Sequence, residues 1–330
     1  CHIEALSIRN CHRDQFENLI MYLFDDVKMI DGKALAIFKQ MKIIQFLISR
    51  LNQKPTEMLN KLKTDTIIAF LIGGLLFTSC SGNDPAPFFP AKINLHFTQY
   101  NQGAPQQYDT MKYVNAAGNP YLVNEIQYFV SDVKLHYNDG RIQLLDGWKD
   151  IHYVDTDLPE THTWQVFDDI ENGDVTQVSF TFGISEEKNQ SLMFLNPPER
   201  DMFWPEYLGG GYHYMKLNGK WLADDGVIKP FDFHLGIGQI YASGVIHVDS
   251  ITGFVQNYFN VELPNSSFTI ADGDTLDFEI RMNVENWFQN PNTYNHDDWG
   301  GDIMQQQAAM QLGCENGKLD VFSFHKIQGK

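Results

Sequence analysis

Alternation of apolar and polar residues with a period of two is the feature that most restricts the fold of this chain. Successive side chains of a β-strand point to opposite faces, so alternation is typical of strands with one buried face. The alternating or Val/Ile/Phe/Tyr-rich segments are 92–100, 125–138, 141–146, 174–184, 211–221, 231–237, 241–249, 253–263 and 274–288. They predict one all-β domain over residues 92–330.

Turn residues and one helical segment refine this prediction. Asn138-Asp139-Gly140 lies between two alternating segments and is typical of a β-hairpin. In residues 302–317 apolar residues recur at helical spacing, and Gly317 is a helix stop. We therefore expect a two-layer antiparallel β-sandwich with long loops and one short C-terminal helix.

The first third of the chain carries the features of an export signal. Lys61 and Lys63 precede an unbroken apolar run over residues 67–77. This run is too short to cross a bilayer as a helix, but it suits the hydrophobic region of a signal peptide. Small residues then precede Cys80, as in a bacterial lipoprotein box. We predict a signal peptide over residues 58–79 and lipidation of Cys80.

This interpretation divides the chain and places it in the cell. Residues 1–57 are interpreted as an N-terminal extension that results from a start assigned too far upstream. Residues 80–91, rich in Pro and polar residues, form a tether between the lipid and the domain. We expect the cell envelope of a Gram-negative bacterium, with the lipid anchor as the contact with the membrane.

Charge and motifs exclude several function classes. The net charge of −18 repels nucleic acid, so we expect no nucleic-acid partner. The sequence contains no GxSxG, HExxH, phosphate-binding or dinucleotide-binding motif. Gly209-Gly210-Gly211 is not followed by the Lys-Ser/Thr of a phosphate cradle. We therefore expect that the protein is not an enzyme.

Histidines are the strongest candidates for metal ligands in this sequence. His96 and His234 each lie in an apolar strand, where neutral imidazole suits copper, zinc or nickel. A lone strand histidine is more often an ordinary hydrogen-bonded residue than a ligand, and the presence of two in buried-looking strands strengthens the ligand interpretation. Strand alternation would put His213 and Met215 on one face, as a nitrogen and sulfur pair that suits copper or as a packing pair.

The order of the motifs resembles the MbnP-like family of exported copper-binding proteins, named for a partner of the copper-chelating peptide methanobactin. The resemblance is carried by KINLHF, NEIQYFVSDVKLHYNDG, DVTQVSFTFGI and IMQQQAAM, and most specifically by DMFWPEYLGGGYHYMKLNGKW followed by PFDFHLG. The family pattern there runs Gly-Met-Tyr-Trp, a short loop, Gly-Tyr, Lys-Leu-Glu-Gly and Phe-x-His-Leu/Ile-Gly. The resemblance covers most of residues 92–325.

The resemblance implies a site and its partners. His234 and His96 match family histidines and are the implied copper ligands, with His213 as a further candidate. Trp204 matches a tryptophan that lies beside the metal in the family. There it is oxidised in concert with a di-haem cytochrome peroxidase-like partner.

Several residues depart from the family pattern. Asp201 stands in place of the glycine, Phe203 in place of the tyrosine, and Asn218 in place of the acidic residue before the next glycine. Many relatives carry a histidine shortly before the C-terminal methionine, where this chain has residues 301–303. His296 is a candidate substitute from the neighbouring loop.

The sequence supports two alternative hypotheses about function. The first is a lipid-anchored envelope protein that binds one copper ion through histidines, in copper handling or with the di-haem redox partner. The alternative is a surface module without metal, which binds a glycan or a protein on aromatic rings. Exposure of Trp204, Tyr207 and Trp221 on one rim would favour the second, and burial of rings near His234 would favour the first.

Overall fold

The computed structural model describes residues 89–327, except for the side chain of Ser243. The predicted signal peptide, Cys80 and the N-terminal extension lie outside the described residues. Within residues 89–327, no helix has the length and apolar character needed to cross a membrane.

β-Strands are the main regular structure of the described chain. The strands are β1 (Lys92–Asn101), β2 (Ala104–Pro105), β3 (Tyr113–Val114), β4 (Pro120–Tyr137), β5 (Ile142–Leu144), β6 (Ile151–Asp155), β7 (Thr163–Gln165), β8 (Gly173–Phe182), β9 (Met215–Leu222), β10 (Ile228–Leu235), β11 (Gly238–Tyr241), β12 (Ile251–Val255), β13 (Phe259–Leu263), β14 (Phe268–Ile270), β15 (Thr275–Asn283) and β16 (Phe322–Ile327). The α-helices are α1 (His296–Trp299) and α2 (Gln307–Gly317).

The strands form two main sheets. One has the order β16-β15-β1-β2, with β7 also paired to β1. The other has the order β10-β9-β4-β8-β13, with β3, β5 and β6 also on β4 and β14 on β8. Strands β11 and β12 form a separate hairpin. The β1–β15 ladder is parallel, and the other ladders in both main sheets are antiparallel. The all-β sandwich prediction is confirmed.

The core lies between the two main sheets. Ring contacts connect them: Phe322 of β16 is 5.2 Å from Phe180 and 5.5 Å from Phe182 of β8, between ring centroids. Strand β1 buries every second residue, as the sequence predicted. Burial of aromatic side chains is a large part of the apolar area removed from water, the main favourable term in folding.

The sequence predictions differ from the structure at several segments. The predicted strand 253–263 is divided between β12 and β13, which lie in different sheets. In the predicted strand 241–249 only Tyr241 is in a strand, and two short 3₁₀ segments follow it, because Gly244 adopts a φ of +68° that breaks an extended backbone. The predicted strand 274–288 ends at Asn283 and continues as a 3₁₀ turn. The predicted helix begins at Gln307, and β16 follows it.

The β9–β10 hairpin forms one edge of the larger sheet and positions the candidate site. Met215 and Leu217 of β9 are fully buried in the core. Lys216 and Asn218 alternate with them and lie on the opposite face. His234 of β10 is directly opposite Lys216 in the register, so it shares that second face.

Candidate metal centre

A loop before β9 brings His213 to the face that carries His234. Its two sides are joined by hydrogen bonds from the Trp204 amide to Gly211 O, at 2.8 Å, and from the His213 amide to Met202 O, at 2.7 Å. The loop turns at three consecutive glycines, residues 209–211, with φ of +123°, +72° and +76°, a region that side chains disfavour.

The two imidazole rings are in direct contact. The centroids of His213 and His234 are 5.2 Å apart, and the ring planes are nearly perpendicular at 85°. This contact differs from the predicted pairing of His213 with Met215 on one face. Strand β9 begins at Met215, so strand alternation does not extend back to His213.

Hydrogen bonding fixes the tautomer of His213. Its Nδ1 is 2.9 Å from Met202 O. A backbone carbonyl only accepts hydrogen bonds, so Nδ1 carries the proton and Nε2 carries the lone pair. The Nε2 atom is buried and has no hydrogen-bond partner among residues 89–327.

His234 has the complementary arrangement. Its Nε2 is 2.7 Å from Asn218 Oδ1 and donates a proton to that oxygen. The lone pair is therefore on Nδ1, which is also buried and without a hydrogen-bond partner in the described part of the chain. Two contacting rings thus each hold one buried lone pair that no described protein group uses.

Burial and charge keep both rings neutral. The pKa of His213 lies well below 6.5, chiefly because of burial, with further lowering by His234 and Lys216. Burial, followed by the charge of Lys216, lowers the pKa of His234 to about 3. Near pH 7 both imidazoles are therefore free of a proton on the lone-pair nitrogen, the form that binds metals.

The donor set fits a metal that accepts few ligands. Buried polar atoms without partners are rare in proteins and costly, and two of them in contacting rings call for a ligand. Across the described residues, no cluster of three or more His, Cys, Asp or Glu side chains could hold a metal ion. Structural zinc usually requires four such donors, whereas monovalent copper accepts two neutral nitrogens. The pair fits copper.

Trp204 packs against His213, one ring of the histidine pair. Its ring centroid is 4.6 Å from that of His213 at an interplanar angle of 75°, and the side chain is fully buried. The indole Nε1 donates to Leu208 O at 3.1 Å, which fixes the ring. The electron-rich face of an indole can also stabilise a nearby cation.

Comparison with known proteins agrees with the resemblance seen in the sequence. The model of the MbnP family matches residues 90–305. The chain belongs to the MbnP family. Its membership suggests a copper-related, methanobactin-associated role. A solved structure, MbnP from Methylosinus trichosporium, is similar to this MbnP chain at 14% sequence identity and a TM-score of 0.47, covering 72% of this chain and 99% of the other. None of the curated proteins compared matches the chain.

In this MbnP domain, His96 lies apart from the other candidate ligands. It belongs to β1 of the smaller sheet, where its Nδ1 is 3.1 Å from Thr163 Oγ1 and its Nε2 is 2.9 Å from Asp277 Oδ1. Both ring nitrogens are therefore engaged, and no described ring contact joins His96 to His213 or His234. The structure brings His213, His234 and Trp204 together without His96.

His296 of the MbnP domain is also separate from the pair. It is fully buried between Phe231 and Trp221, with centroid distances of 4.4 and 5.6 Å. Phe231 lies on the face of β10 opposite to His234, because the two are three residues apart along a strand. Neither ring nitrogen of His296 has a hydrogen-bond partner among the described residues.

Sequence reasoning missed two groups at the site. Asn218, noted in the sequence as a departure from the family, is the hydrogen-bond partner of His234. The carbonyl of Met202 is the partner of His213. Pairing of the two alternating segments across a β9–β10 hairpin would have placed Asn218 beside His234, whereas no residue-type signal marks a backbone carbonyl.

Proposed function

We propose that this protein binds one copper ion through His213 Nε2 and His234 Nδ1, beside Trp204, and takes part in copper handling. The observation that carries the proposal is the contact of two neutral imidazoles whose lone-pair nitrogens are buried and unpartnered. Membership of the MbnP family supports the choice of copper.

The surroundings favour a singly charged ion. Both donors are neutral, and the pKa values of both rings are lowered in part by the nearby charge of Lys216. Placing a divalent ion in a buried site without a carboxylate partner costs more than placing a monovalent one. Bound copper would supply a reversible one-electron couple, while the protein holds the ion and Trp204 excludes water from it.

The cellular setting follows the sequence expectations. We propose that lipidation of Cys80 holds the domain in the cell envelope, and that the protein itself catalyses no reaction. We also propose that Trp204 becomes oxidised through a di-haem peroxidase-like partner, which would supply the oxidising equivalents. Its contact with His213 supports this choice of residue.

The aromatic-platform alternative has less support. Trp204 is fully buried and Trp221 is 3% exposed, whereas Tyr207 is 58% exposed. A stacking platform needs several rings on one accessible rim, and these three do not form one. The burial of Trp204 against His213 is the arrangement that favours a metal site.

Titration of the purified protein with Cu(I) and with Cu(II) tests the proposal. We expect one equivalent of Cu(I) to bind, and His213→Ala and His234→Ala each to weaken binding by at least about 100-fold, because each removes one of two ligands. The matched control is His96→Ala, which should retain the parent affinity. Loss of copper in the His96 variant, with full binding in the His213 variant, would show that the family-implied ligands are the real ones.

A further inference from the structure

We propose that Asn218 is a positioning residue that fixes the tautomer of His234, so that Nδ1 of that ring is the nitrogen available to a ligand. The use of that nitrogen for copper rests on the proposed function. The hydrogen-bond assignment does not depend on any metal.

The register of the edge hairpin places the two side chains together. Asn218 of β9 is directly opposite Asp232 of β10, and His234 is two residues further along the same strand. Diagonal neighbours on one face of a sheet are within reach of long side chains. The 2.7 Å contact between Asn218 Oδ1 and His234 Nε2 is such a diagonal pair.

The carboxylate of Glu125, on the side of Asn218 away from His234, determines the orientation of the Asn218 side-chain amide. Asn218 Nδ2 donates to Glu125 Oε2 at 3.3 Å. An ionised carboxylate only accepts hydrogen bonds, so the NH₂ group of Asn218 must face Glu125, and its oxygen must face His234. An amide oxygen only accepts as well, which leaves Nε2 of His234 as the donor.

The backbone of β4 brings this carboxylate into position. The register between β4 and β9 shifts between Val123 and Glu125, with Asn124 as the extra residue. Such a bulge re-aims the side chains that follow it. After the shift, Glu125 is directly opposite Asn218. Three adjacent strands thus contribute Glu125, Asn218 and His234 to one continuous hydrogen-bonded series.

A neutral amide in the middle of the series also has a chemical consequence. A metal-binding histidine commonly donates its other N–H to a charged carboxylate or to a neutral carbonyl oxygen, and either partner fixes the tautomer and the ring orientation. Asn218 supplies the neutral form of this contact through Oδ1. The residue that stands in place of the acidic one of the family pattern therefore still accepts the proton of His234 Nε2.

Nitrogen NMR of the metal-free full chain, labelled with ¹⁵N-histidine, tests the assignment. The His234→Ala variant identifies the His234 signals. We expect the parent to hold the proton on Nε2, and Asn218→Leu, which has similar size and no acceptor, to populate both tautomers. Asn218→Asp keeps an acceptor and should keep the proton on Nε2. An unchanged tautomer in Asn218→Leu, or a proton moved to Nδ1 in Asn218→Asp, would overturn the proposal.

Copper affinity of the same variants separates this inference from the proposed function. Loss of a residue that orients a metal ligand typically weakens affinity by about 10–100-fold. We expect a loss of that size in Asn218→Leu, with the parent thermal unfolding profile as the check on folding. A tautomer change in Asn218→Leu together with no copper binding by the parent would refute the copper site and leave the role of Asn218 intact. A tautomer change without a loss of affinity would refute its role in binding.

Discussion

Gly236 lies directly against the ring of Trp204. A Cβ at residue 236 would be 2.5 Å from both Cε3 and Cζ3 of the indole, a distance that real Cβ atoms do not reach. The glycine that follows His234-Leu235 therefore provides the space that Trp204 occupies beside His213. The Phe-x-His-Leu-Gly motif thus supplies both the candidate ligand His234 and the glycine against which Trp204 packs.

Gly236→Ala should consequently move Trp204 and weaken the site. We expect a loss of about 1–3 kcal/mol of unfolding free energy, because overpacking of a close-packed core forces side chains and backbone to shift. Urea unfolding measures this loss, and Cu(I) titration measures the effect on binding. Gly253→Ala is the matched control, since its Cβ would meet only Ile240 Cδ1 at 3.5 Å. Equal stability of both variants would contradict the packing argument.

Trp204→Phe should preserve the fold and remove the proposed oxidation site. The Leu208 carbonyl that accepts from the indole also accepts from Gln239 Nε2 at 3.0 Å, so it keeps a partner. We expect a destabilisation of about 1–2 kcal/mol, from the smaller ring and one lost hydrogen bond.

Mass spectrometry of protein isolated from its native envelope should find added oxygen on the parent Trp204 peptide. Oxygen found instead on the exposed Trp148 would indicate non-specific damage.

His296 should make the protein sensitive to acid. Burial lowers the pKa of His296 from 6.5 to about 3, with a small opposing effect of Asp297. Between these pH values the unfolded chain binds a proton that the folded protein does not. The contribution of the neutral His296 ring to the free energy of unfolding is therefore complete above pH 6.5, and it is lost as the pH falls toward 3.

We expect His296→Leu to remove part of this dependence, by up to about 1.4 kcal/mol per pH unit. Unfolding free energies measured in urea from pH 7 to pH 4 would show it as a shallower decline than in the parent. His247→Ala, at an exposed residue, is the control and should leave the decline unchanged. A parent and a His296→Leu variant with parallel curves would show that this ring is not buried in its neutral form.

Much of the fold could be predicted from the sequence because its strands have one apolar face. Strand β1, for example, buries alternate residues along its length, and its predicted and observed bounds nearly coincide. Residues 241–249 also have a strand-like sequence, yet β11 ends at Tyr241, because the φ of Gly244 and not hydrophobicity decides the backbone there. The parallel pairing of β1 with β15 joins segments about 180 residues apart, which no local pattern encodes.

The same limit applies to the candidate site. His213, His234 and Trp204 lie in neighbouring motifs, and the contacts among them follow from one hairpin and one loop. The environment of His96 depends on Asp277 of β15, a distant strand that takes up one of its ring nitrogens. Strand periodicity can show that a histidine faces a given side, but not which residue of the next strand meets it.

Copper should stabilise the folded protein, because the unpartnered nitrogens of His213 and His234 become bonded only when a ligand is present. A ligand that binds the native state alone adds about 2.7 kcal/mol at a free concentration of 100 times its dissociation constant. We expect thermal unfolding to shift upward with buffered Cu(I), in the parent and in His96→Ala. The shift should disappear in His213→Ala and His234→Ala. Stabilisation of all four proteins to the same extent would mean that copper binds elsewhere, since neither lone pair would then be needed.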